Sequence, residues 1–165
     1  MDVTKQDPRD IMERTLIIAK PDAVQRGLVG EIVTRLERKG LKLIGMKMTS
    51  LSEAMLQTHY AEHIEKSFYK GLENFMKSSP VVLMAWEGYE CVESVRSTVG
   101  ATNARKAAAG TIRGDFGMST GRNLVHASDS PENGLSEISN FFDASELYDY
   151  DKSEYLHVYE PEERA

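Results

Sequence analysis

Apolar positions along the chain predict short strands separated by helices. The run 14–20 is β-prone and ends at Pro21, and residues 81–86 are apolar at every position, as in a strand buried on both faces of a sheet. Two further strands are predicted over residues 41–51 and 123–127. Helical spacing of apolar residues predicts helices over residues 27–40, 52–63, 68–77 and 89–99.

A last helix is predicted to begin at Ser130, where a capping serine precedes Pro131 at the first helical position. Its predicted buried stripe consists of Leu135, Ile138 and Phe142. The stretch 101–121 is rich in Gly, Ala and Thr and poor in large apolar residues, which is typical of a functional loop.

This order of elements, β-α-β-(α)-β-α-β with a final α segment, predicts an α+β fold. The expected architecture is a ferredoxin-like α/β sandwich, in which helices cover one face of a four-stranded, mainly antiparallel sheet. Residues 12–160 are predicted to form one domain, between a flexible N-terminal extension (1–11) and a C-terminal tail (161–165).

The composition and the net charge limit the classes of partner that the protein is expected to have. The chain of 165 residues has a net charge of −6, which argues against nucleic acid as the main partner. Its apolar runs are too short to span a bilayer, its first residues lack the apolar stretch of a signal peptide, and a single cysteine excludes an intrachain disulfide. A cytoplasmic location is therefore expected.

Basic residues between Arg96 and Arg122 suit a compact polyanion, although chance clustering of surface charge explains them equally well.

His126 ends the last predicted strand, and its imidazole is a possible nucleophile because it is largely neutral near pH 7. Nucleophilic attack needs one ring nitrogen free and the other held by an acceptor. Glu137, on the following helix, is the candidate acceptor. Spacing alone favours the alternative, in which His126 is a structural strand histidine and Glu137 a solvated helix acid.

Phosphoryl transfer depends mostly on positioning and charge neutralisation. Lys20, Arg96 and Arg113 are candidates for the charge, and Thr102 and Asn123 for further hydrogen bonds, although a solvated surface position explains each basic residue singly. The sequence has neither a P-loop nor a kinase-type glycine loop.

Aromatic and remaining histidine residues leave alternatives open. Phe68 either stacks on a base from a surface edge or packs as a core aromatic, and Tyr60 either reaches a phosphate or packs against its helix. His59, His63 and His157 have no ligand-like spacing, so no metal ligand is assigned.

Four segments resemble the nucleoside diphosphate kinase family. They cover residues 13–31, 79–88, 110–117 and 121–130, and read ERTLIIAKPDAVQRGLVGE, SPVVLMAWEG, GTIRGDFG and GRNLVHASDS. The resemblance extends from about Glu13 to Glu160 and implies the ferredoxin-like sandwich. It also implies a ping-pong reaction in which a nucleoside triphosphate phosphorylates His126 and a nucleoside diphosphate then takes the phosphate, maintaining NTP and dNTP pools.

The resemblance assigns roles by position. Glu137 orients the histidine, Ser128 supplies a supporting hydroxyl, and Phe68 stacks on the base. The implied phosphate and ribose contacts are Lys20, Tyr60, Arg96, Thr102, Arg113 and Asn123. The implied Mg²⁺ arrives bound to the nucleotide, and the implied assembly is a homo-oligomer, either a hexamer or a tetramer built from dimers. Nucleoside di- and triphosphates are the expected partners, with no membrane and no specific nucleic acid.

The sequence departs from the family pattern mainly where subunits join. Ala104 and Ala109 stand where prolines are common, and His157 stands in place of a frequent tryptophan.

Two other functions compete with phosphate transfer between nucleotides. One is a nucleotide-binding regulator without turnover, which would not need both His126 and Glu137. The other is a histidine-dependent phosphatase that transfers phosphate to water.

Overall fold

A computed structural model describes residues 12–164, so the predicted extension 1–11 lies outside the described residues. Its strands are β1 (Met12–Ala19), β2 (Lys42–Thr49), β3 (Val81–Tyr89) and β4 (Val125–Ala127). They form one four-stranded sheet in the order β2-β3-β1-β4. Every pair of neighbouring strands is antiparallel, which confirms the predicted sheet.

The helices lie close to their predicted positions, with three additions. They are α1 (Pro21–Gln25), α2 (Val29–Arg38), α3 (Glu53–His59), α4 (Tyr69–Met76), α5 (Cys91–Val99), α6 (Ile112–Phe116), α7 (Pro131–Phe141) and α8 (Tyr155–Val158). The pattern did not predict α1, which starts at the proline that ends β1, or α6, which lies inside the stretch 101–121. It also did not predict the one-turn helix α8. Within residues 12–164 no helix is long and apolar enough to cross a membrane.

Helices cover both faces of the sheet, so the prediction of helices over one face is wrong. Strand β1 is apolar on both sides: Ile17 and Ala19 join a cluster with α2 and α5, whereas Leu16 and Ile18 join a cluster with α3, α4 and α7. A central strand without a polar face exposes apolar surface unless both of its sides are packed. The run of apolar residues in β1 therefore requires two helical layers.

Helix α7 approaches the sheet through a glycine. A Cβ built on Gly134 would overlap the carbonyl oxygen of Arg14 in β1. Gly134, Ile138 and Phe141 are the buried residues of this helix, whereas Leu135 is 58% exposed, so its place in the predicted stripe is wrong. The glycine face packs most closely because it brings the helix backbone directly onto β1, and this turns Leu135 toward solvent.

The start of α7 is as predicted. The Ser130 side chain accepts a hydrogen bond from the backbone N–H of Asn133, and Pro131 occupies the first turn. Serine satisfies a backbone donor that the helix leaves unpaired, and proline fits where no donor is needed. These residues fix where α7 begins relative to β4.

We expect Gly134→Ala to lower the free energy of unfolding by about 1–3 kcal/mol, because the added methyl group pushes α7 off β1. Gly30→Ala in α2 is the matched control. A Cβ there meets nothing within 4 Å, so the change should be neutral or stabilise by about 0.5 kcal/mol. Chemical denaturation measures both values, and equal effects at the two positions would contradict the close packing of α7.

Candidate active site

One cavity of about 920 Å³ lies beside the short strand β4. The structure places eight of the predicted site residues in its lining: Lys20, Tyr60, Phe68, Arg96, Thr102, Arg113, Asn123 and His126. Glu137 and Ser128 lie next to His126 rather than in the lining. Residues far apart in the sequence therefore converge on one histidine.

His126 is held by a carboxylate on the neighbouring helix. It lies opposite Ile18 where β4 pairs with β1. Its Nε2 is 2.7 Å from Oε2 of Glu137 in α7, and both side chains are about four-fifths buried. The other ring nitrogen, Nδ1, has no hydrogen-bond partner among residues 12–164. One nitrogen is thus fixed and the other is free.

Ser128 connects this pair to the central strand. Its hydroxyl donates to Oε2 of Glu137 at 2.8 Å and accepts from the backbone N–H of Leu16 at 3.0 Å. Burial raises the pKa of Glu137, but hydrogen bonds from His126 and Ser128 outweigh burial and hold that pKa below its usual value. The carboxylate is therefore ionised at neutral pH.

A strained residue precedes β4. Leu124 has a φ of 75°, in the left-handed region that side chains rarely occupy, and it is fully buried. Its N–H donates to Oδ2 of Asp22, and its carbonyl accepts from the N–H of Lys20. These bonds stabilise the turn that presents Asn123 on one side of Leu124 and His126 on the other.

A buried lysine lies at the end of β1. Lys20 is 8% exposed, and its Nζ donates to Oδ1 of Asn123 at 2.7 Å. The Asn123 amide in turn donates to the carbonyl of Thr102 at 2.9 Å. Burial, reinforced by the charge of Arg113, lowers the pKa of Lys20 to about 8. Lys20 is thus a cation without enough negative charge around it, which favours binding of an anion.

The Arg113 side chain has both a structural and an electrostatic role. Its guanidinium donates to the carbonyls of Gly100, Asn123 and Val125 and so connects α5 to the segment that leads into β4. Burial and then the neighbouring charge of Arg96 lower its pKa to about 10, so it stays protonated at neutral pH. A guanidinium has more N–H groups than these carbonyls use, and the remainder are available to phosphate oxygens.

Phe68 and Tyr60 both line the cavity. Phe68 is 53% exposed, which excludes the core alternative and leaves its ring accessible. Nζ of Lys66 lies 5.8 Å from the centre of the Phe68 ring, and the His63 ring centre lies 5.6 Å from it. Burial raises the pKa of Tyr60, which keeps its hydroxyl protonated and available as a donor.

Sequence reasoning missed His59, His63 and Arg122. The His59 ring packs edge-on against His126, with ring centres 4.6 Å apart, and burial lowers its pKa to about 3. His63 and Arg122 line the cavity. No spacing rule connects α3 with β4, so only the fold brings His59 to His126. Arg122 did carry a signal, because it belongs to the basic stretch that begins at Arg96.

Burial of Lys20 gives a pH-dependent prediction. A lysine with a lowered pKa destabilises the fold while it is charged, and the penalty disappears as pH rises from about 8 toward the unfolded value. Wild-type protein without nucleotide should therefore gain about 2 kcal/mol relative to Lys20→Met between pH 7 and pH 10. Denaturation curves for both proteins at each pH measure this difference, and a difference that stays constant would contradict the burial of a charged amine.

Comparison with known proteins identifies the family. The nucleoside diphosphate kinase family model matches residues 13–147. The nucleoside diphosphate kinase of Archaeoglobus fulgidus is 53% identical over 149 residues, covering 90% of this chain and 99% of that protein. That of Herpetosiphon aurantiacus is 56% identical over 142 residues, covering 86% and 95%.

Solved structures agree with the sequence matches. The halophilic nucleoside diphosphate kinase of Halobacterium salinarum, solved in complex with CDP, is 50% identical and superposes with a TM-score of 0.87 over 90% of this chain and 99% of that chain. A family member from Babesia bovis is 45% identical, with a TM-score of 0.86. Because likeness in sequence and fold covers nearly all of both chains, the protein belongs to the nucleoside diphosphate kinase family, whose members transfer phosphate between nucleotides.

Proposed function

We propose that the protein transfers the γ-phosphate of a nucleoside triphosphate to a nucleoside diphosphate through a phosphohistidine on His126. The observation that carries the proposal is the orientation of the imidazole. Glu137 holds Nε2 at 2.7 Å, and Nδ1 of this cavity-lining residue is left without a partner among the described residues. A fixed tautomer with a free lone pair is what nucleophilic attack requires.

In the first half-reaction, Nδ1 of His126 attacks the γ-phosphorus. The Nδ1–P bond forms as the bond from phosphorus to the β–γ bridging oxygen breaks, and the nucleoside diphosphate leaves with that electron pair. The phosphorylated ring gains positive charge, which the Glu137 carboxylate stabilises through the proton on Nε2. In the second half-reaction, a terminal oxygen of an acceptor diphosphate attacks the same phosphorus, and the ring regains its lone pair.

Charge in the cavity suits a transferring phosphoryl group. Lys20, Arg96 and Arg113 all line the cavity. Lys20 and Arg113 are buried, and burial lowers the pKa of each because too little negative charge surrounds them. Preorganised cations of this kind stabilise the negative charge on the equatorial oxygens of the transition state. We assign these three residues to the phosphates, with further hydrogen bonds from Tyr60, Thr102 and Asn123.

Magnesium is proposed to enter with the nucleotide. The described cavity lining contains no Asp or Glu side chain, so this lining offers no carboxylate cage, and the phosphate oxygens are the ligands that a Mg²⁺ ion would find there. When bound, the ion would neutralise phosphate charge. The protein's part is to hold the phosphates between its own cations.

A single cavity serves both nucleotides in this scheme. The exposed Phe68 ring offers a stacking surface that accepts any base, because every base has a π-face. The Halobacterium salinarum relative was solved with CDP, which supports a nucleotide in the equivalent cavity here. Low base discrimination fits a role in balancing NTP and dNTP pools.

Homo-oligomeric assembly as a hexamer or tetramer stays a prediction, as does a cytoplasmic location.

Incubation with γ-labelled ATP tests the phosphohistidine. We expect an acid-labile label on the protein that moves onto added GDP, because the acceptor uses the same phosphorus. His126→Ala should retain nucleotide binding and take up no label, whereas His157→Ala, which changes an exposed histidine outside the cavity, should label normally. Absence of label would support the nucleotide-binding regulator, and label lost only to water would support the phosphatase.

Glu137→Gln isolates the carboxylate charge from its shape. We expect the rate of phosphohistidine formation to fall by about 10²-fold, because the amide holds the ring without stabilising its positive charge. Nucleotide affinity should stay near the wild-type value, since Glu137 does not line the cavity. Single-turnover labelling gives the rate and equilibrium binding gives the affinity. A large loss of affinity with an unchanged rate would count against this role.

A further inference from the structure

His59 is a buried polar group beside His126 that the proposed reaction does not use. It lies at the end of α3, and its ring is nearly perpendicular to that of His126, at an interplanar angle of 81°. Both of its ring nitrogens are buried without a hydrogen-bond partner. Buried nitrogens are nearly always paired, so two unpaired ones on a single ring require an explanation.

The surroundings of His59 supply the rest of a metal-ligand set. One nitrogen of His59, one nitrogen of His126 and a carboxylate oxygen of Glu137 all lie within 4.8 Å of one another. Two imidazoles and one carboxylate form a ligand set that zinc uses where a fourth position remains open. The second carboxylate oxygen of Glu137 accepts no hydrogen bond from the described residues, so it is available as a ligand.

We propose that His59, His126 and Glu137 form a binding site for a divalent transition-metal ion of the Zn²⁺ class, separate from nucleotide-bound Mg²⁺. Tetrahedral coordination at about 2 Å places ligand atoms roughly 3.3 Å apart. The 2.7 Å contact between His126 and Glu137 must therefore open slightly, and His59 must move inward. Mg²⁺ does not compete for this site, because it prefers six oxygen ligands.

Metal binding has a defined proton balance. The proton on Nε2 of His126 gives way to the ion and is taken up at Nδ1 of the same ring, so the imidazole stays neutral and no net proton is released. The metal-bound histidine then loses the carboxylate contact that stabilises its phosphorylated form. Ion binding and phosphohistidine formation therefore exclude each other. The positive charge of Lys20 acts on His59 and opposes a cation there, so we expect micromolar rather than tighter binding.

Calorimetric titration of the nucleotide-free protein with Zn²⁺ tests the site. We expect one micromolar site per chain, with a heat of binding at pH 8 that does not depend on the ionisation enthalpy of the buffer, because no net proton is released. His59→Phe removes both nitrogens but keeps a ring to pack against Tyr60 and Phe141, whose ring centres lie 4.5 and 5.2 Å from that of His59. Its affinity should fall at least 10-fold, whereas His157→Ala should bind as the wild type does.

A second measurement separates this proposal from the proposed reaction. Zn²⁺ added before γ-labelled ATP should slow labelling of the wild type and leave the labelling rate of His59→Phe at its own metal-free value. Binding is measured without nucleotide, so failure of the phosphotransfer scheme leaves the calorimetric result intact. Equal Zn²⁺ affinity in the wild type and His59→Phe, or no binding to the wild type, would overturn the site. Circular dichroism checks folding, and Glu137→Gln, with the same expected loss, replaces His59→Phe if that variant does not fold.

Discussion

The hydrogen bond between His126 and Glu137 is the interaction on which the site depends. It joins β4 to α7, and it selects which imidazole nitrogen is available. Its 2.7 Å length requires α7 to lie close to the sheet, and Gly134 permits that approach because any side chain would meet the backbone of β1. Ser128 holds the carboxylate from the strand side through Leu16. A contact of helix backbone with strand backbone thus determines the chemistry of a ring several residues away.

Electrostatics in the cavity follow from burial. Lys20 and Arg113 are both held in the protein interior with too little negative charge to balance them. This arrangement destabilises the protein without ligand, because a desolvated cation loses hydration that neighbouring dipoles only partly replace. A polyphosphate supplies the missing charge. The same burial that lowers the stability of the free protein therefore strengthens binding of a nucleotide, which explains why cations occupy core positions at the end of β1 and in α6.

Much of the fold was predictable because the two central strands, β1 and β3, carry unambiguous apolar runs. Ser130 and Pro131 marked the start of α7, and the glycine-rich stretch after α5 marked the loop that lines the cavity. Local pattern did not reveal that helices pack on both faces, nor that Gly134 rather than Leu135 faces the sheet. Both depend on which surfaces meet in three dimensions. Helix α6 was missed because one fully buried residue, Ile112, anchors a segment with little other core material.

The residues of the site also divide into those that the sequence predicted and those that only the tertiary structure revealed. Spacing alone favoured a structural role for His126 and a solvated Glu137, and motif resemblance supplied the roles that spacing did not. The fold then brought the assigned residues around one cavity. His59 had neither a motif role nor a spacing signal, and its contact with His126 arises only from the packing of α3 beside α7. Long-range contacts of this kind are a property of the tertiary structure and leave no trace in local periodicity.

In the proposed reaction, Glu137 reserves Nε2 of His126 and leaves Nδ1 as the nucleophile. Nuclear magnetic resonance of ¹⁵N-histidine-labelled protein, phosphorylated with ATP and freed of nucleotide, identifies the ring nitrogen bonded to phosphorus through its one-bond coupling. The structure predicts a phosphate on Nδ1 of His126, with Nε2 still protonated toward Glu137. A phosphate on Nε2, or on another histidine, would contradict the account.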